Sequence, residues 1–378
     1  MVVPNVRETP LASEHARLGA TFTTFAGWRM PLRYVSDLRE HEAVRTAAGL
    51  FDLSHMGQIE ITGPDAARFL DHALVLDASA MPVDRARYTL ICTASGGMLD
   101  DLVVYHTGED QFLIVANAAN VATVSAELDA RIAGFDARTR DVSDRYALIS
   151  LQGPRAAEIL AEHTPADLNG LRYYSAVASR VAGREALLAR TGYTGELGFE
   201  IYVAPDDATA VWADLLRSGE SAGVQPVGLA ARDTLRLEAG MPLYGNELTV
   251  DVTPLHAGLG WAVPADKAAD YVGRKALEEY RQSGTPSVLV GLEGTGRRAA
   301  RAGNPVVDPE SGAAVGRVTS GVLSPTLGHP IAMAYVPPAL AEPGTPVDVD
   351  VRGSMLRMTV VAKPFYRRAD ARRQIAPA

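Results

Sequence analysis

Apolar residues recur along the chain at helical and strand spacings, and these spacings predict most of its elements. A helix is predicted over residues 37–45, because Ser36 is a suitable N-cap and Gly49 is placed to end the helix. The residues before Ser36 are predicted to form a loop. Two later helices are predicted over 206–216, which has a carboxylate near its start, and over 228–238.

A strand–turn–helix unit occurs twice, 90 residues apart. Residues 59–70 have the sequence IEITGPDAARFL and residues 149–160 have the sequence ISLQGPRAAEIL. In each copy a strand precedes Gly-Pro and an amphipathic helix follows it, and proline suits a first helical turn because its missing N–H would have no partner there. The two copies predict two related α+β halves in the first two-thirds of the chain, unless two common units resemble each other by chance.

The remaining patterns are those of β-structure. Between the two copies, strands over 88–93, 98–106 and 112–116 predict a β-meander with turns at 94–97 and 107–110. After about residue 280 the helical periodicity disappears. The chain then alternates like strands over 287–292, 314–318, 331–336 and 347–361, with a turn at Arg352. This tail is predicted to be a small all-β domain.

Composition and charge narrow the class of protein. A chain of 378 residues with 47% hydrophobic and 21% charged residues is typical of a globular protein of two or three domains. The net charge of −9, with both signs interspersed, argues against a nucleic-acid-binding surface. No apolar run reaches the about 18 residues of a membrane span, and no signal peptide is evident. The single Cys92 fits a reducing cytoplasm. We therefore expect a cytoplasmic enzyme that acts on a small molecule.

Two adjacent aspartates, Asp100 and Asp101, interrupt an apolar strand. Successive side chains of a strand point to opposite faces. The pattern therefore places Asp101 with Leu99, Val103 and Tyr105, and Asp100 with Met98, Leu102 and Val104. Because both faces are apolar, at least one carboxylate is expected to be buried, a costly setting that often marks a functional site. The alternative is a structural aspartate that closes the preceding Gly-Gly turn or pairs with a buried arginine.

Two further segments carry candidate binding residues. The sequence RTGYTGELGFE, residues 190–200, has three glycines spaced three apart, which allow a backbone to approach a ligand closely. In it, Tyr193 is suited to stack on a flat ring, and Glu196 and Glu200 to accept hydrogen bonds from an amino-substituted heterocycle, unless the segment is only a glycine-rich hairpin loop. Arg232 and Arg236 lie one helical turn apart and suit a carboxylate ligand or, alternatively, intramolecular ion pairs.

Other side chains and motifs are assigned no chemistry. The string Gly219-Glu-Ser-Ala-Gly223 follows a helix and so lacks the strand-to-helix context of a nucleophile elbow. The eight histidines show no metal-ligand spacing, and His41 and His55 are interpreted as surface or packing groups. Cys92 is expected to be a small core residue.

Taken together, the motifs resemble the T-protein family of the glycine cleavage system. The segments that carry the resemblance are FAGWRMP at 25–31, FDLSHM at 51–56, residues 96–105, 191–200 and 228–247, and TSGVLSP at 319–325. The family's fold implies three domains arranged like a cloverleaf around a folate channel, namely two related α+β domains and a C-terminal all-β, barrel-like domain. The expected boundaries are 1–52 with 140–280, 53–139 and 281–378.

The resemblance also implies the site and the reaction. Asp101 matches the catalytic aspartate, with Asp100 as the alternative because strand alternation does not separate them. The positions that match folate contacts are Tyr88, Asn117, Tyr193, Glu200 and Arg232, with Met56, Tyr173 and Arg367 matching more loosely. The implied partner is lipoylated H-protein, whose aminomethyl group is transferred to tetrahydrofolate with release of ammonia. Asp101 is expected to hydrogen-bond a folate nitrogen and to stabilise positive charge at the transferred carbon. No metal is implied, and a monomer is expected.

Two other functions share parts of this pattern. A tetrahydrofolate-dependent demethylase of dimethylsulfoniopropionate or of a sarcosine-type amine uses the same fold without a lipoyl carrier. A non-catalytic folate-binding protein linked to tRNA modification and iron–sulfur maintenance carries a cysteine motif where this chain has Glu238–Tyr244 without cysteine. The intact Asp-Asp strand and the Tyr-Thr-Gly-Glu loop favour the T-protein interpretation.

Overall fold

A computed structural model describes residues 6–368 and contains eight α-helices in that range. The helices are α1 (Ala12–Arg17), α2 (Asp37–Thr46), α3 (Ala66–Ala73), α4 (Val121–Arg131), α5 (Ala156–Ala161), α6 (Ala208–Ser218), α7 (Leu229–Glu238) and α8 (Arg274–Ser283). The helices predicted over 37–45, 206–216 and 228–238 are confirmed to within two residues. Ser36 is the predicted N-cap of α2, since its side chain accepts a hydrogen bond from the Arg39 N–H. None of the helices in the described range is long and apolar enough to cross a membrane.

The strands form three open sheets and one closed barrel. Those before residue 142 are β1 (Arg7–Glu8), β2 (Thr21–Phe25), β3 (Trp28–Arg33), β4 (Ala48–Asp52), β5 (Gly57–Thr62), β6 (Ala86–Cys92), β7 (Met98–Gly108), β8 (Gln111–Ala116) and β9 (Arg138–Asp141). Those after it are β10 (Ala147–Gln152), β11 (Ala176–Val181), β12 (Arg184–Ala189), β13 (Gly198–Val203), β14 (Val224–Pro226), β15 (Val288–Gly294), β16 (Pro305–Val307), β17 (Ala314–Leu323), β18 (Pro330–Val336), β19 (Pro346–Val351) and β20 (Ser354–Val361).

The predicted repeat is present as two β-α units with the same turn. β5 leads through Gly63 into α3, and β10 leads through Gly153 into α5. The two glycines have φ angles of +124° and +136°, and a Cβ at either would lie 2.5 Å from a backbone carbonyl oxygen, that of Asp136 or of Ala47. Only glycine accepts that conformation so close to a neighbouring chain. The same turn therefore requires glycine at the same place in both copies.

Two sheets pack face to face, with helices on their outer sides. The six-stranded sheet has the order β11-β12-β13-β10-β4-β14, and the five-stranded sheet has the order β6-β7-β8-β5-β9. Buried Phe51 and Tyr202 from the first sheet and Tyr105, Leu113 and Val115 from the second belong to one apolar cluster between them. Side chains that point into this interface can therefore come from either sheet.

The C-terminal strands close into a barrel, as predicted for an all-β tail. The strand order is β15-β18-β17-β16-β19-β20, and buried valines and alanines fill the interior. The short strand β16 was not predicted from the alternation. The division of the chain at residues 52, 140 and 280 stays a prediction; β9 lies across residue 140 and pairs with β5.

Two local predictions were wrong. The region before Ser36 is not a loop: it contains α1 and a sheet of β1, β3 and β2. Gly49 does not end α2, because the helix ends at Thr46 and Gly49 lies inside β4. A Cβ on Gly49 would lie 2.4 Å from Val44 and 2.6 Å from Val227, so this glycine permits close packing rather than a helix cap.

Candidate active site

β7 brings the two aspartates to the centre of the molecule, but a β-bulge changes the predicted faces. Asp100 pairs with Ile91 and Met98 with Cys92, which leaves Leu99 as the extra residue. Leu99 therefore packs against the same apolar cluster as Leu102 and Val104, on the side of Asp100, while Met98 joins a different cluster. The prediction for Leu99 and Met98 was wrong. Val103 and Tyr105 lie on the side of Asp101 as predicted.

Asp100 is enclosed by amide donors. Its side chain is 0% exposed. The carboxylate accepts hydrogen bonds from the Asn117 backbone N–H (2.9 Å), the Asn117 Nδ2 (2.9 Å) and the Asn120 Nδ2 (2.6 Å). These donors tie Asp100 to the start of α4. This setting differs from the two structural alternatives stated for the aspartates, since Asp100 contacts asparagines and not an arginine or the Gly-Gly turn.

Asp101 is only partly buried, and its two carboxylate oxygens are held separately. Oδ2 accepts from the Tyr88 hydroxyl at 3.1 Å, and Oδ1 accepts from the Asn117 Nδ2 at 2.8 Å. The Asn117 side-chain amide thus bridges the two aspartates. Asn117 was predicted to contact folate, and in the structure its amide donates to these two carboxylates. Two hydrogen bonds leave an ionised carboxylate with unused acceptor capacity.

The aspartates form a coupled acidic pair. Burial, followed by the negative charge of Asp101, raises the pKa of Asp100. Burial also raises the pKa of Asp101, against the hydrogen bonds from Tyr88 and Asn117, which lower it. Adjacent carboxylates resist carrying two charges, so the pair retains a proton at a higher pH than ordinary aspartates do. Asp101 therefore lies where small changes in its surroundings alter its protonation.

β13 contributes a second carboxylate from the facing sheet. Glu200 Oε2 accepts from the Thr191 hydroxyl at 2.5 Å and from the Tyr105 hydroxyl at 3.4 Å. In the described part of the chain these are its only hydrogen-bond donors, so Oε1 is left to accept from a ligand. Burial raises the pKa of Glu200, while the Thr191 hydrogen bond and the charge of Arg232 lower it.

Arg232 on α7 is a cation whose guanidinium N–H donors are unused. Its guanidinium carbon lies 4.7 Å from the centre of the Tyr193 ring, a cation–π contact. Burial lowers its pKa, and the negative charge of Glu200 raises it. Among residues 6–368 neither an ion pair nor a hydrogen bond of its guanidinium is present, although the group has five N–H donors. The Tyr193 hydroxyl, in turn, donates to the Pro242 carbonyl at 2.5 Å.

Two residues considered with this site belong instead to closed ion pairs. Glu196 accepts from Arg45 at 2.9 Å, so the proposed contact between Glu196 and a heterocycle was wrong. Arg236 is bound to Asp233 at 2.8 Å and to Glu247 at 2.9 Å, which is the intramolecular alternative stated for the arginine pair. Glu200 and Arg232 therefore remain as the open members of these two segments.

The loosely matched residues have different positions. Met56 is partly buried and packs against the cluster between the sheets, and Tyr173 is 49% exposed and contacts the Tyr174 ring. Arg367 is exposed, and its guanidinium donates to the Lys363 carbonyl at 3.4 Å. The neighbouring Arg368, which sequence reasoning missed, acts on the pKa of Tyr173 and of Glu196.

Other neighbours of the site were also missed. His41 and His55 are both buried rather than at the surface. His41 hydrogen-bonds Thr234 and Thr326, whereas His55 Nδ1 lacks a hydrogen-bond partner within residues 6–368. Burial and the charge of Arg232 lower the pKa of His55 to about 4. The sequence signal that could have placed His55 near the site is its position directly before Met56 in the FDLSHM segment. Cys92 is buried as expected, and burial raises its pKa to about 12.

Comparison with known proteins agrees with this architecture. Residues 11–267 match the family described as the GCVT N-terminal domain, and residues 288–367 match the glycine cleavage T-protein C-terminal barrel domain. An aminomethyltransferase of Saccharopolyspora erythraea is 59% identical over 362 residues, covering 96% of this chain and 98% of the relative. An aminomethyltransferase of Bacillus subtilis is 43% identical over 364 residues, covering 96% and 100%.

A solved structure gives the same result for the fold. The crystal structure of glycine cleavage system aminomethyltransferase T from Bartonella henselae superimposes with a TM-score of 0.90 at 41% identity, covering 96% of this chain and 98% of that one. The expected fold, with α+β units followed by a closed barrel, is confirmed by this match and by the strand order. The chain belongs to the glycine cleavage T-protein family.

Proposed function

We propose that the chain transfers the one-carbon unit of an aminomethyl-lipoyl H-protein to tetrahydrofolate, releasing ammonia and forming 5,10-methylenetetrahydrofolate. The observation that carries the proposal is the group of open polar side chains around Tyr193. The Arg232 guanidinium lies 4.7 Å from the centre of the Tyr193 ring, the charge of Asp101 acts on the pKa of Tyr193, and the charge of Glu200 acts on the pKa of Arg232. Each of the three charged groups keeps hydrogen-bonding capacity for a ligand. Family membership and the aminomethyltransferase relatives support this reaction.

Tetrahydrofolate fits the donors and acceptors of the site. Its heterocycle offers N–H donors along one edge, which suit the free Oε1 of Glu200. Its carbonyl and carboxylate groups suit the unused N–H donors of Arg232. The rings of Tyr88 and Tyr193 and the side chain of Met56 offer apolar contact to its flat ring.

Asp101 is proposed to assist the chemistry. The transferred carbon loses its bonds to sulfur and to the amino nitrogen and gains bonds to two folate nitrogens. The two folate N–H protons leave with the thiol and the ammonia. Asp101 accepts a hydrogen bond from a reacting N–H, and its negative charge stabilises the positive charge that develops at the carbon. Tyr88 and Asn117 hold the carboxylate in place for this task.

The experiment supplies different one-carbon donors to the purified protein. With tetrahydrofolate and aminomethyl-loaded H-protein, ammonia and methylenetetrahydrofolate are expected to appear in equal amounts. Sarcosine, dimethylsulfoniopropionate and unloaded lipoyl H-protein serve as comparison donors and are expected to give neither product. One-carbon transfer from a small donor, with no ammonia from the loaded H-protein, would overturn the proposal in favour of a demethylase.

The surroundings of the reaction are part of the proposal. We expect lipoylated H-protein to be the partner, the enzyme to be a monomer and the reaction to occur in the cytoplasm. Light scattering during size-exclusion chromatography tests the first two expectations, because a monomer and its complex with H-protein have different masses.

A further inference from the structure

Trp261 is a large apolar side chain in a position that the proposed reaction does not explain. Its side chain is 70% exposed, whereas Leu259, Ala262 and Val263 around it are 7%, 9% and 3% exposed. The backbone of this segment is fixed, because the Ala262 N–H donates to the Leu259 carbonyl and Arg281 donates to the Val263 carbonyl. A tryptophan contributes large apolar area when it is buried. The exposed indole is therefore the exception in a buried, well-anchored segment.

The indole stacks against a residue of the candidate active site. The rings of Trp261 and Tyr88 lie 5.6 Å apart with their planes 28° from parallel. The Tyr88 hydroxyl donates to Oδ2 of Asp101 at 3.1 Å. The exposed indole thus reaches Asp101 through one intervening ring.

The two aromatic rings approach Asp101 from a different part of the fold than the charged side chains do. Tyr88 lies on β6 and Trp261 in the turn at Gly260–Ala262, whereas Glu200 lies on β13 and Arg232 on α7. The polar heterocycle and the charged tail of folate match Glu200 and Arg232. The exposed indole of Trp261 presents aromatic surface, which matches a substrate group of apolar character.

We propose that Trp261, stacked on Tyr88, forms the contact site for the aliphatic, sulfur-bearing arm of the aminomethyl donor as it enters beside Asp101. The inference rests on the proposed function. Moving methylene groups from water onto an aromatic surface is favourable, and thioether sulfur makes favourable contacts with aromatic rings. Such an arm carries its one-carbon unit on sulfur at its end. Contact with Trp261 would place that end beside Tyr88, whose hydroxyl donates to the Asp101 carboxylate.

A binding measurement tests this without depending on turnover. Of the three tryptophans of the chain, Trp28 and Trp212 are 9% and 0% exposed, so acrylamide quenches the fluorescence of Trp261 preferentially. Lipoylated H-protein is expected to protect Trp261 from quenching and to shift its emission to shorter wavelength. H-protein without the lipoyl group is expected to do neither, and Trp261→Phe identifies the signal by removing it. Equal protection by both forms of H-protein, or protection by neither, would overturn the proposal.

Kinetics of matched variants give an independent test. Trp261→Ala is expected to raise the KM for aminomethyl-loaded H-protein about tenfold, as for loss of one apolar and sulfur–aromatic contact. The KM for tetrahydrofolate should stay unchanged, and Trp261→Phe should recover most of the donor affinity. Met355→Ala removes another apolar side chain, 57% exposed on the barrel, and is the control.

The two proposals fail in different ways. An unchanged donor KM in Trp261→Ala, with normal wild-type turnover, would reject the arm contact and leave the reaction standing. Absence of ammonia and methylenetetrahydrofolate in the wild type would reject the reaction itself. A parallel rise of both KM values in Trp261→Ala would indicate a structural role and would also reject the arm contact.

Discussion

The interior contains two groups of charged side chains that differ in how completely they are paired. In the first, which we call the closed cluster, Arg45 binds Glu196 and Glu238, each at 2.9 Å. Glu238 also accepts from His41, Ser324 and Thr326. In the second, the open cluster of Asp101, Glu200 and Arg232, no two of the charged groups form an ion pair within residues 6–368.

The difference corresponds to what each cluster connects. The closed cluster joins α2 and α7 to the loop before β13 and to the barrel segment around Thr326, and the Arg45 guanidinium also covers the Tyr366 ring at 4.1 Å. The open cluster lies where the two sheets meet, and its members are partly exposed. Buried charges that are fully paired hold the fold together, whereas charges with unused capacity mark the place of a ligand.

Breaking the closed cluster is expected to have the largest effect on stability. Glu238→Ala leaves Arg45 and the barrel segment without their shared acceptor, and loss of one partner of a buried pair costs about 3–5 kcal/mol of unfolding free energy. Chemical denaturation measures this loss of unfolding free energy. Glu185→Ala removes the exposed Arg180–Glu185 pair and should leave the unfolding midpoint unchanged. Equal effects of the two variants would contradict the distinction between closed and exposed pairs.

Removing the open cation is expected to weaken ligand binding instead of stability. Arg232→Met should raise the tetrahydrofolate Kd by roughly tenfold to a hundredfold, the range for hydrogen bonds to a charged group. Arg232→Lys keeps the charge but loses the planar guanidinium, so its Kd for tetrahydrofolate should lie between those of Arg232→Met and the wild type. Isothermal titration calorimetry measures the Kd. An unchanged Kd in Arg232→Met would remove Arg232 from the site.

The coupled aspartates predict a shifted acid limb of activity. Asp101 must be ionised to act, and because its pKa is raised, activity is expected to fall at a higher pH than an ordinary aspartate would allow. Tyr88→Phe removes a hydrogen bond that lowers the pKa of Asp101, so the limb of kcat/KM should move to higher pH. A pH profile of both proteins measures this. A limb that stays in place would show that the Tyr88 hydroxyl does not act on the ionisation of Asp101.

The closed cluster predicts a smaller, pH-dependent effect on stability. Burial alone would raise the pKa of Glu238, but hydrogen bonds and charges of His41, Ser324 and Arg45 lower it to about 2. Since the folded-state pKa lies below the ordinary value of 4.5, this stabilisation is present above about pH 4.5 and is lost as the pH falls towards 2. Denaturation at several pH values should show this loss in the wild type. In Glu238→Gln the unfolding free energy should depend less on pH between about 4.5 and 2. The same pH dependence in the two proteins would contradict the assignment of this effect to Glu238.

The sequence predicts regular elements well where the pattern is local. The Gly-Pro repeat, the meander and the alternating barrel strands are of this kind. The sheet at the N-terminus was missed because its strands β2 and β3 meet in a tight turn at Ala26 and Gly27, both with positive φ, and alanine is an unusual residue for such a turn. The faces of Met98 and Leu99 depend on the bulge at Leu99, which strict alternation does not reveal.

The members of the site are harder to predict because their partners are distant in the chain. Glu196 and Glu200 are equivalent candidates by sequence, but Glu196 meets Arg45, 151 residues away, and Glu200 does not. Arg232 and Arg236 are separated in the same way by Glu247, which is near Arg236 only after the chain turns back at Gly240. The resemblance to the T-protein family pointed to Glu200 and Arg232. The structure adds the physical reason, since their neighbours Glu196 and Arg236 are held in ion pairs and these two are not.

The most direct test of the central claim is a single-turnover comparison of the wild type with Asp101→Asn. Saturating tetrahydrofolate and aminomethyl-loaded H-protein are mixed, and ammonia and methylenetetrahydrofolate are followed together, with the folate Kd measured separately. The account predicts a nearly unchanged Kd and a rate that falls by about two to four powers of ten, the range for general acid–base assistance. A variant that binds folate and turns over at the wild-type rate would show that Asp101 does not assist the reaction.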